Sequence, residues 1–295
     1  MMEKSKFLVF HLILILLLSC KPEGALATTN TSPQAYYFDA QLGNDANNGL
    51  SAEQPFASFK KLSEINLKSG DSIRLANGSS FRGQLSILGF TGADGLKIIN
   101  YQPPGSSSEQ LPRIDAAGYD SGIYIENSSN ISISNLSITA NGGGIKSNHG
   151  ANTEGMRCGI LVHIQSNSVF NNLSIENVEI EEVYYEAPGF SRDKDEVTTP
   201  NGTQSYGWGI RFLNTSTSGQ LNHISVSNCN IKKVSHSGIR FNNSSQLKFE
   251  DIQVHNNRLN NIGGPGMVLL KCENAVVTEN HISYSGSKDD SRNWG

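Results

Sequence analysis

The sequence has little cysteine, almost no tryptophan and no apolar run long enough for a finished membrane helix. Its four cysteines, Cys20, Cys158, Cys229 and Cys272, follow no zinc spacing, which excludes a structural zinc module. The three after Cys20 cannot pair completely and read as buried free thiols acting as small hydrophobes, with Cys229 facing inward. A basic excess is missing too. Lys and Arg number 23 against 27 Asp and Glu, for a formal net charge of −4, which argues against a nucleic-acid partner. The Gly-rich stretch Gly142-Gly143-Gly144 lacks the Gly-Lys-Ser/Thr lead into a helix that a phosphate loop needs. What remains is 37% hydrophobic, with 29 Gly and abundant Asn and Ser. That mix is too apolar for disorder and suits an all-β chain rich in turns.

What is present begins with a targeting segment. Lys4 and Lys6 precede the apolar stretch Phe7 to Leu18, and Leu17-Leu18-Ser19-Cys20 resembles the bacterial lipobox. The resemblance implies cleavage before Cys20 and a lipid on that residue. The expected organisation is a lipoprotein signal peptide over 1–20, a flexible tether over 21–34 and one β-helix domain over 35–295. Its expected place is the bacterial cell envelope, exported and held to a membrane by the N-terminal lipid.

The body repeats. Ile131-Ser-Ile133-Ser-Asn135-Leu136-Ser-Ile138 returns as Leu173-Ser-Ile175-Glu-Asn177-Val178-Glu-Ile180 and again around Asn228 and Asn256. A weaker copy ends at Glu279 and Asn280. Apolar residues alternate up to the Asn, the parity slips by one, and alternation resumes. A tight bend between two strands requires that slip, and Asn tolerates the left-handed backbone such a bend uses. A Gly-led strand accompanies each frame: Gly122-Ile-Tyr-Ile, Gly159-Ile-Leu-Val, Gly209-Ile-Arg-Phe, Gly238-Ile-Arg-Phe and Gly266-Met-Val-Leu. The steps from Asn228 to Asn256 and from Asn256 to Glu279, 28 and 23 residues, fit one coil of a solenoid. The pattern predicts an all-β, right-handed parallel β-helix, stacked from about residue 83 to 286.

Two steps are longer, 42 residues from Asn135 to Asn177 and 51 from Asn177 to Asn228. The extra residues, about 140–157 and 184–207, leave the coil at the same point and so belong on one side of the stack. Later coils have only Ser235-His236-Ser237 and Gly263-Gly264-Pro265 there. The sequence stops at Gly295 with no polar cap after the last coil strand, so further coils are expected beyond it.

The opening carries a family resemblance. Tyr36-Tyr37-Phe38-Asp39, then Gly43 to Gly49, Pro55-Phe56-Ala57-Ser58-Phe59 and Gly70-Asp71-Ser72-Ile73 resemble the start of many exported β-helix proteins. Among these are polysaccharide lyases of the pectate-lyase-like group and of the alginate lyase and chondroitinase B group. The resemblance implies a first strand, a capping helix near Ser58 to Ile65 and a carbohydrate-active solenoid. Asp45-x-Asn47-x-Gly49 is similar to part of a calcium loop but lacks the distal Glu, and it reads first as a tight turn. Ca2+ is the one cofactor left open, and no metal ligand set is assigned.

Arg211 and Arg240 hold the same place in consecutive Gly-Ile-Arg-Phe strands, so both point outward, about 5 Å apart. Such a pair either clamps a carboxylate or sulfate or pairs with loop acids such as Glu186, Asp193, Asp195 or Glu196. Trp208 and His236 precede the two arginine strands and are expected beside them, Trp208 to stack on sugar. Lys146 and His149 in the first excursion, with Arg157 after it, add positive charge. The resemblance implies β-elimination on an acidic polysaccharide; by position in the coils, Arg211 and Arg240 are the candidates to bind the uronate and His236 or Lys146 to act as base. A glycoside hydrolase using carboxylates of the second excursion, or a surface glycan-binding lipoprotein without activity, are the alternatives.

Overall fold

Strand alternation, interrupted by left-handed bends, builds this fold. The structure is a computed structural model that describes residues 32–116, 118–141, 157–183 and 207–286. Strand β1 (Ala35–Phe38) is followed by a 3-10 turn (Phe59–Glu64), and the coils begin with β2 (Ser72–Ala76), β3 (Ser80–Arg82) and β4 (Leu85–Leu88). The next coil holds β5 (Leu96–Tyr101), β6 (Arg113–Asp115) and β7 (Ser121–Glu126). Two coils follow with long bent strands, β8 (Ile131–Ala140) with β9 (Cys158–Ile164), and β10 (Val169–Val183) with β11 (Trp208–Asn214). Then come β12 (Gln220–Ser227), β13 (Asn230–Val234) and β14 (Ser237–Asn243), and β15 (Phe249–His255), β16 (Arg258–Ile262) and β17 (Met267–Leu269). The last described strands are β18 (Cys272–Thr278) and β19 (His281–Ser285).

Every strand pairing between coils is parallel, and the chain is a parallel β-helix. Three faces result. The first runs β1-β2-β5-β8-β10-β12-β15-β18, and the second joins β3, β6, the distal halves of β8 and β10, β13, β16 and β19. The third is a separate sheet in the order β17-β14-β11-β9-β7-β4. Stacking thus starts at β1, well before residue 83, and the expected capping helix near Ser58 to Ile65 is a 3-10 helix, Phe59–Glu64. Phe59 and Leu62 from that helix close the core beside Phe38, Phe56 and Phe81.

The Asn frame works as the parity slip requires. Asn135, Asn177, Asn228 and Asn256 have φ between 51 and 57°, the left-handed region, at the bend between the first and second faces. Their amides pair two by two along the axis, and between the pairs Asn228 Nδ2 donates to Glu176 Oε1 at 3.3 Å. Asn177 Nδ2 donates to Asn135 Oδ1 at 2.6 Å, and Asn256 Nδ2 donates to Asn228 Oδ1 at 2.7 Å. The next position faces inward and is apolar as Leu136, Val178 and Cys229, then polar as Asn257, which is fully buried. Asn257 is satisfied on both sides of its amide. It accepts from the Cys229 backbone at 2.9 Å and donates to Val226 O at 3.0 Å and Asn280 Oδ1 at 2.9 Å.

The Gly column has a steric cause. A Cβ on Gly122, Gly159, Gly209, Gly238 or Gly266 would lie 2.4–2.6 Å from Ile138, Ile180, Ile231, Leu259 or Ile282 respectively. The glycine therefore lets the third face turn in tightly against the apolar row of the second. The Asp45 loop is a structural turn, as its turn residues suggest. Asp45 Oδ1 accepts from the backbone of Ala57 and Ser58, and Oδ2 accepts from Ser58 Oγ at 2.6 Å. Burial alone would raise the Asp45 pKa, but those bonds and Lys61 hold it below the ordinary value.

Candidate functional site

The outer side of the third face brings the named residues together. Cys158, Trp208 and Ser237 share one row across β9, β11 and β14, and Leu161, Arg211 and Arg240 share the row three residues on. Ile210, Ile239, Phe212 and Phe241 take the alternate positions and point into the core. Both arginines thus face outward in adjacent strands, about 4.8 Å apart along the stack.

Around them lies an outer apolar cluster distinct from the main core, formed by Tyr124, Cys158, Leu161 and Trp208, with Leu213 packed against it. The guanidinium of Arg211 sits 4.1 Å from the Trp208 ring centroid, a cation–π contact, and the Trp208 and His236 rings lie 5.2 Å apart. Arg240 Nε donates to Asn242 Oδ1 at 2.7 Å. Burial, reinforced by the charge of Arg240, pulls the Arg211 pKa down to about 10 against the opposing influence of Cys158. Burial also lowers the Arg240 pKa. Two half-buried like charges at this spacing favour an anion placed over them.

Trp208 and His236 are not on an open floor. Only 6% of Trp208 and 4% of His236 are exposed, so neither borders open solvent; Trp208 packs under the Arg211 guanidinium and His236 against the Trp208 ring. His236 Nδ1 is 2.6 Å from Ser237 Oγ. Burial first, then Arg240 and Arg211, push the His236 pKa down to about 3. The imidazole is neutral at any physiological pH, and its basicity is too low for efficient proton abstraction. This shift has a measurable consequence. The folded pKa lies below the ordinary 6.5, so the unfolded chain takes up a proton first as pH falls. His236 therefore contributes stability in full above pH 6.5 and loses it progressively toward pH 3. Urea unfolding at pH 7.5 and 4.5 is expected to show a smaller acid loss in His236→Asn than in the parent. Equal losses in the two proteins would mean that His236 is not held neutral.

Lys146, His149, Cys20 and the acids Glu186, Asp193, Asp195 and Glu196 lie outside the described residues. Two buried charged residues stand in the turn row before the third face. Asp120 and Arg157 are each 0% exposed, and the backbone ties them to the site, with Cys158 N donating to Asp120 O and Trp208 N to Arg157 O. Gln84 Nε2 donates to Asp120 Oδ1 at 2.8 Å. Asp120 escapes sequence reasoning because it belongs to no repeated frame; its full burial is what marks it.

A further polar group runs from Tyr124, in the arginine row, to Glu126 and His163 in the next outward row. Tyr124 Oη donates to Glu126 Oε2 at 2.5 Å and lies 3.4 Å from His163 Nδ1, and His163 Nε2 is 2.9 Å from Thr215 Oγ1. Gln165 Nε2 adds a bond to Glu126 Oε2 at 3.0 Å. Among the described residues, no group of three or more His, Cys, Asp or Glu has the geometry to hold a metal ion.

No family model matches the chain. Over 89% of its length it is 23% identical to a lacto-N-biosidase of Bifidobacterium longum subsp. longum, of which it spans 20%. Among solved structures it resembles the GH136 lacto-N-biosidase from Eubacterium ramulus. The native form matches with a TM-score of 0.60 and 18% identity, covering 78% of this chain and 42% of that one. The selenomethionine form of the same enzyme gives 0.50 and 14%, over 84% and 55%. The chain thus spans a fifth of the curated relative and less than half of the better-matching solved form. At these identities the structural likeness establishes the parallel β-helix.

Proposed function

We propose that this chain is part of an exported carbohydrate-active enzyme that holds an acidic glycan against the outer side of its third face. Similarity to lacto-N-biosidases along 89% of the chain supports carbohydrate activity. The observation that carries the acidic substrate is the outward, register-matched pair Arg211 and Arg240. Hydrolysis is the preferred reaction. Elimination needs a base beside the neutralised uronate, and His236 is buried with its pKa near 3. In this scheme His236 and Trp208 position the arginines, while the two carboxylates of hydrolysis come from acids such as Asp193, Asp195 and Glu196. Lys146 is the base if the reaction is elimination.

Incubating the full chain with uronate-containing polymers separates the cases. Reducing ends without ultraviolet absorbance of unsaturated uronate are expected; absorbance would replace hydrolysis by elimination. Binding without either product would make the chain a glycan-binding protein. The same proposal places the protein in the cell envelope on a lipid. Mass spectrometry of the mature protein from a bacterial host is expected to find a lipid-modified Cys20 at the N-terminus. An unmodified or missing Cys20 would remove the anchor from the proposal.

A further inference from the structure

We infer that Glu126, Gln165 and Thr215 form a second subsite on the same face, one that takes an uncharged sugar next to the acidic one. The inference rests on the proposal that this face binds a glycan. It starts from a group that a purely structural surface does not need. On the outer side of the third face, Tyr124 is 0% and His163 3% exposed, yet both carry polar atoms. Burying them is tolerable only because they are bonded, and they are bonded to groups at the surface. Gln165 and Thr215 are exposed and Glu126 is half-buried.

The directions of these bonds define what the surface offers. Burial and the neighbouring Glu126 raise the Tyr124 pKa, so its hydroxyl stays protonated and donates to Glu126 Oε2. Gln165 Nε2 donates to the same oxygen at 3.0 Å and lies 3.3 Å from His163 Nδ1. An amide N–H directed at Nδ1 makes that nitrogen the acceptor, which leaves the proton on Nε2. Nε2–H then donates to Thr215 Oγ1 at 2.9 Å. Thr215, having accepted, keeps its own hydroxyl proton to donate. Glu126 Oε1 has one long contact, 3.4 Å from Asn127 Nδ2, and keeps acceptor capacity toward solvent. The network therefore presents a carboxylate acceptor at Glu126 and an oriented donor at Thr215.

The surroundings suit a pyranose. Glu126 lies in the row Leu88, Glu126, His163, Leu213. Leu88, 63% exposed, is the neighbour of Glu126 on one side, and buried His163 separates it from half-buried Leu213 on the other, so apolar surface adjoins the carboxylate at Leu88. A sugar offers hydroxyls that pair with Glu126 and Thr215 and a C–H face that covers leucine. An anionic sugar is disfavoured there by the Glu126 carboxylate. Arg211 lies two strands along the stack from Tyr124 through Leu161, about 10 Å away. An acidic sugar on the arginines and an uncharged one over Glu126 thus fit one chain alternating the two kinds.

Calorimetric titration of the full chain with two probes tests this. The first is chondroitin oligosaccharides, which alternate a uronate with an amino sugar; the second is neutral N-acetyllactosamine oligosaccharides. Glu126→Gln keeps the shape and an acceptor for Tyr124, and Thr215→Val removes the oriented donor without touching the carboxylate. Each is expected to weaken binding of both probes by about tenfold. Replacing Arg211 and Arg240 by alanine is expected to weaken the chondroitin probe at least tenfold more than the neutral one. If Glu126→Gln and Thr215→Val bind both probes as the parent does, the subsite is wrong and the arginine site survives. If the arginine double variant binds chondroitin normally while Glu126→Gln does not, the arginine site is wrong and the subsite survives. A parent that binds neither probe overturns both.

Discussion

Replacing Phe241 by alanine is expected to lower the unfolding free energy by about 3–5 kcal/mol, the range for large-to-small changes at sealed aromatic sites. Phe241 is fully buried, and its ring stacks on Phe212 with centroids 4.3 Å apart and planes 10° apart. Phe249 meets it edge-on at 5.6 Å. The backbone is pinned on both sides, to Phe212 in β11 and to Leu269 in β17, so the surroundings cannot collapse into the space. The adjacent change Arg240→Ala removes an outward side chain and is expected to alter stability by about 0.5 kcal/mol or less. Denaturant unfolding of both variants measures the contrast. Equal losses would contradict the inward and outward alternation of this strand.

The second large effect concerns ligand. Arg211→Ala with Arg240→Ala is expected to cost about 1.5–3 kcal/mol per lost charge-assisted contact in binding a uronate polymer. That is a drop of about tenfold to a hundredfold for each, without strict additivity. The coils are expected to stay folded, because both side chains point away from the core. Affinity measured by titration at two salt concentrations tests the first part, and circular dichroism of the double variant tests the second. Unchanged affinity in the double variant would mean that the pair does not bind the uronate.

The architecture was legible because two of its constraints demand one residue type. The bend after the first face needs a left-handed residue and uses Asn at four successive positions; the entry to the third face has no room for a Cβ and uses Gly. Two other left-handed rows were not legible. Asn130, Asn172, His223, Asp251 and Asn274 form one, and Glu182, Lys233, Asn261 and Tyr284 form the other. Their side chains vary because they meet solvent or pair across rungs, as in Lys233 with Glu182 at 3.2 Å. The same contrast explains the site. Arg211 and Arg240 sit in one repeated tetrapeptide, so parity alone aligned them. Whether Trp208 and His236 were exposed could not be read, because burial of an outward residue depends on what lies over the sheet. Tyr124, Glu126, His163, Gln165 and Thr215 come from three coils with no shared motif, and only the stacking makes them neighbours.

The unequal coil lengths carry a consequence for how such a chain can change. Corresponding bend residues are 23 residues apart at Asn256 and Glu279 and 51 apart at Asn177 and Asn228. Closing the longer circuit costs only about 0.7 kcal/mol more in chain entropy, since the penalty grows with the logarithm of length. The rung spacing and the inward rows stay the same in both. The point between the second and third faces therefore behaves as an open socket. Segments of very different length and chemistry can be spliced there, directly beside the outward arginines, while the strands beneath keep their register.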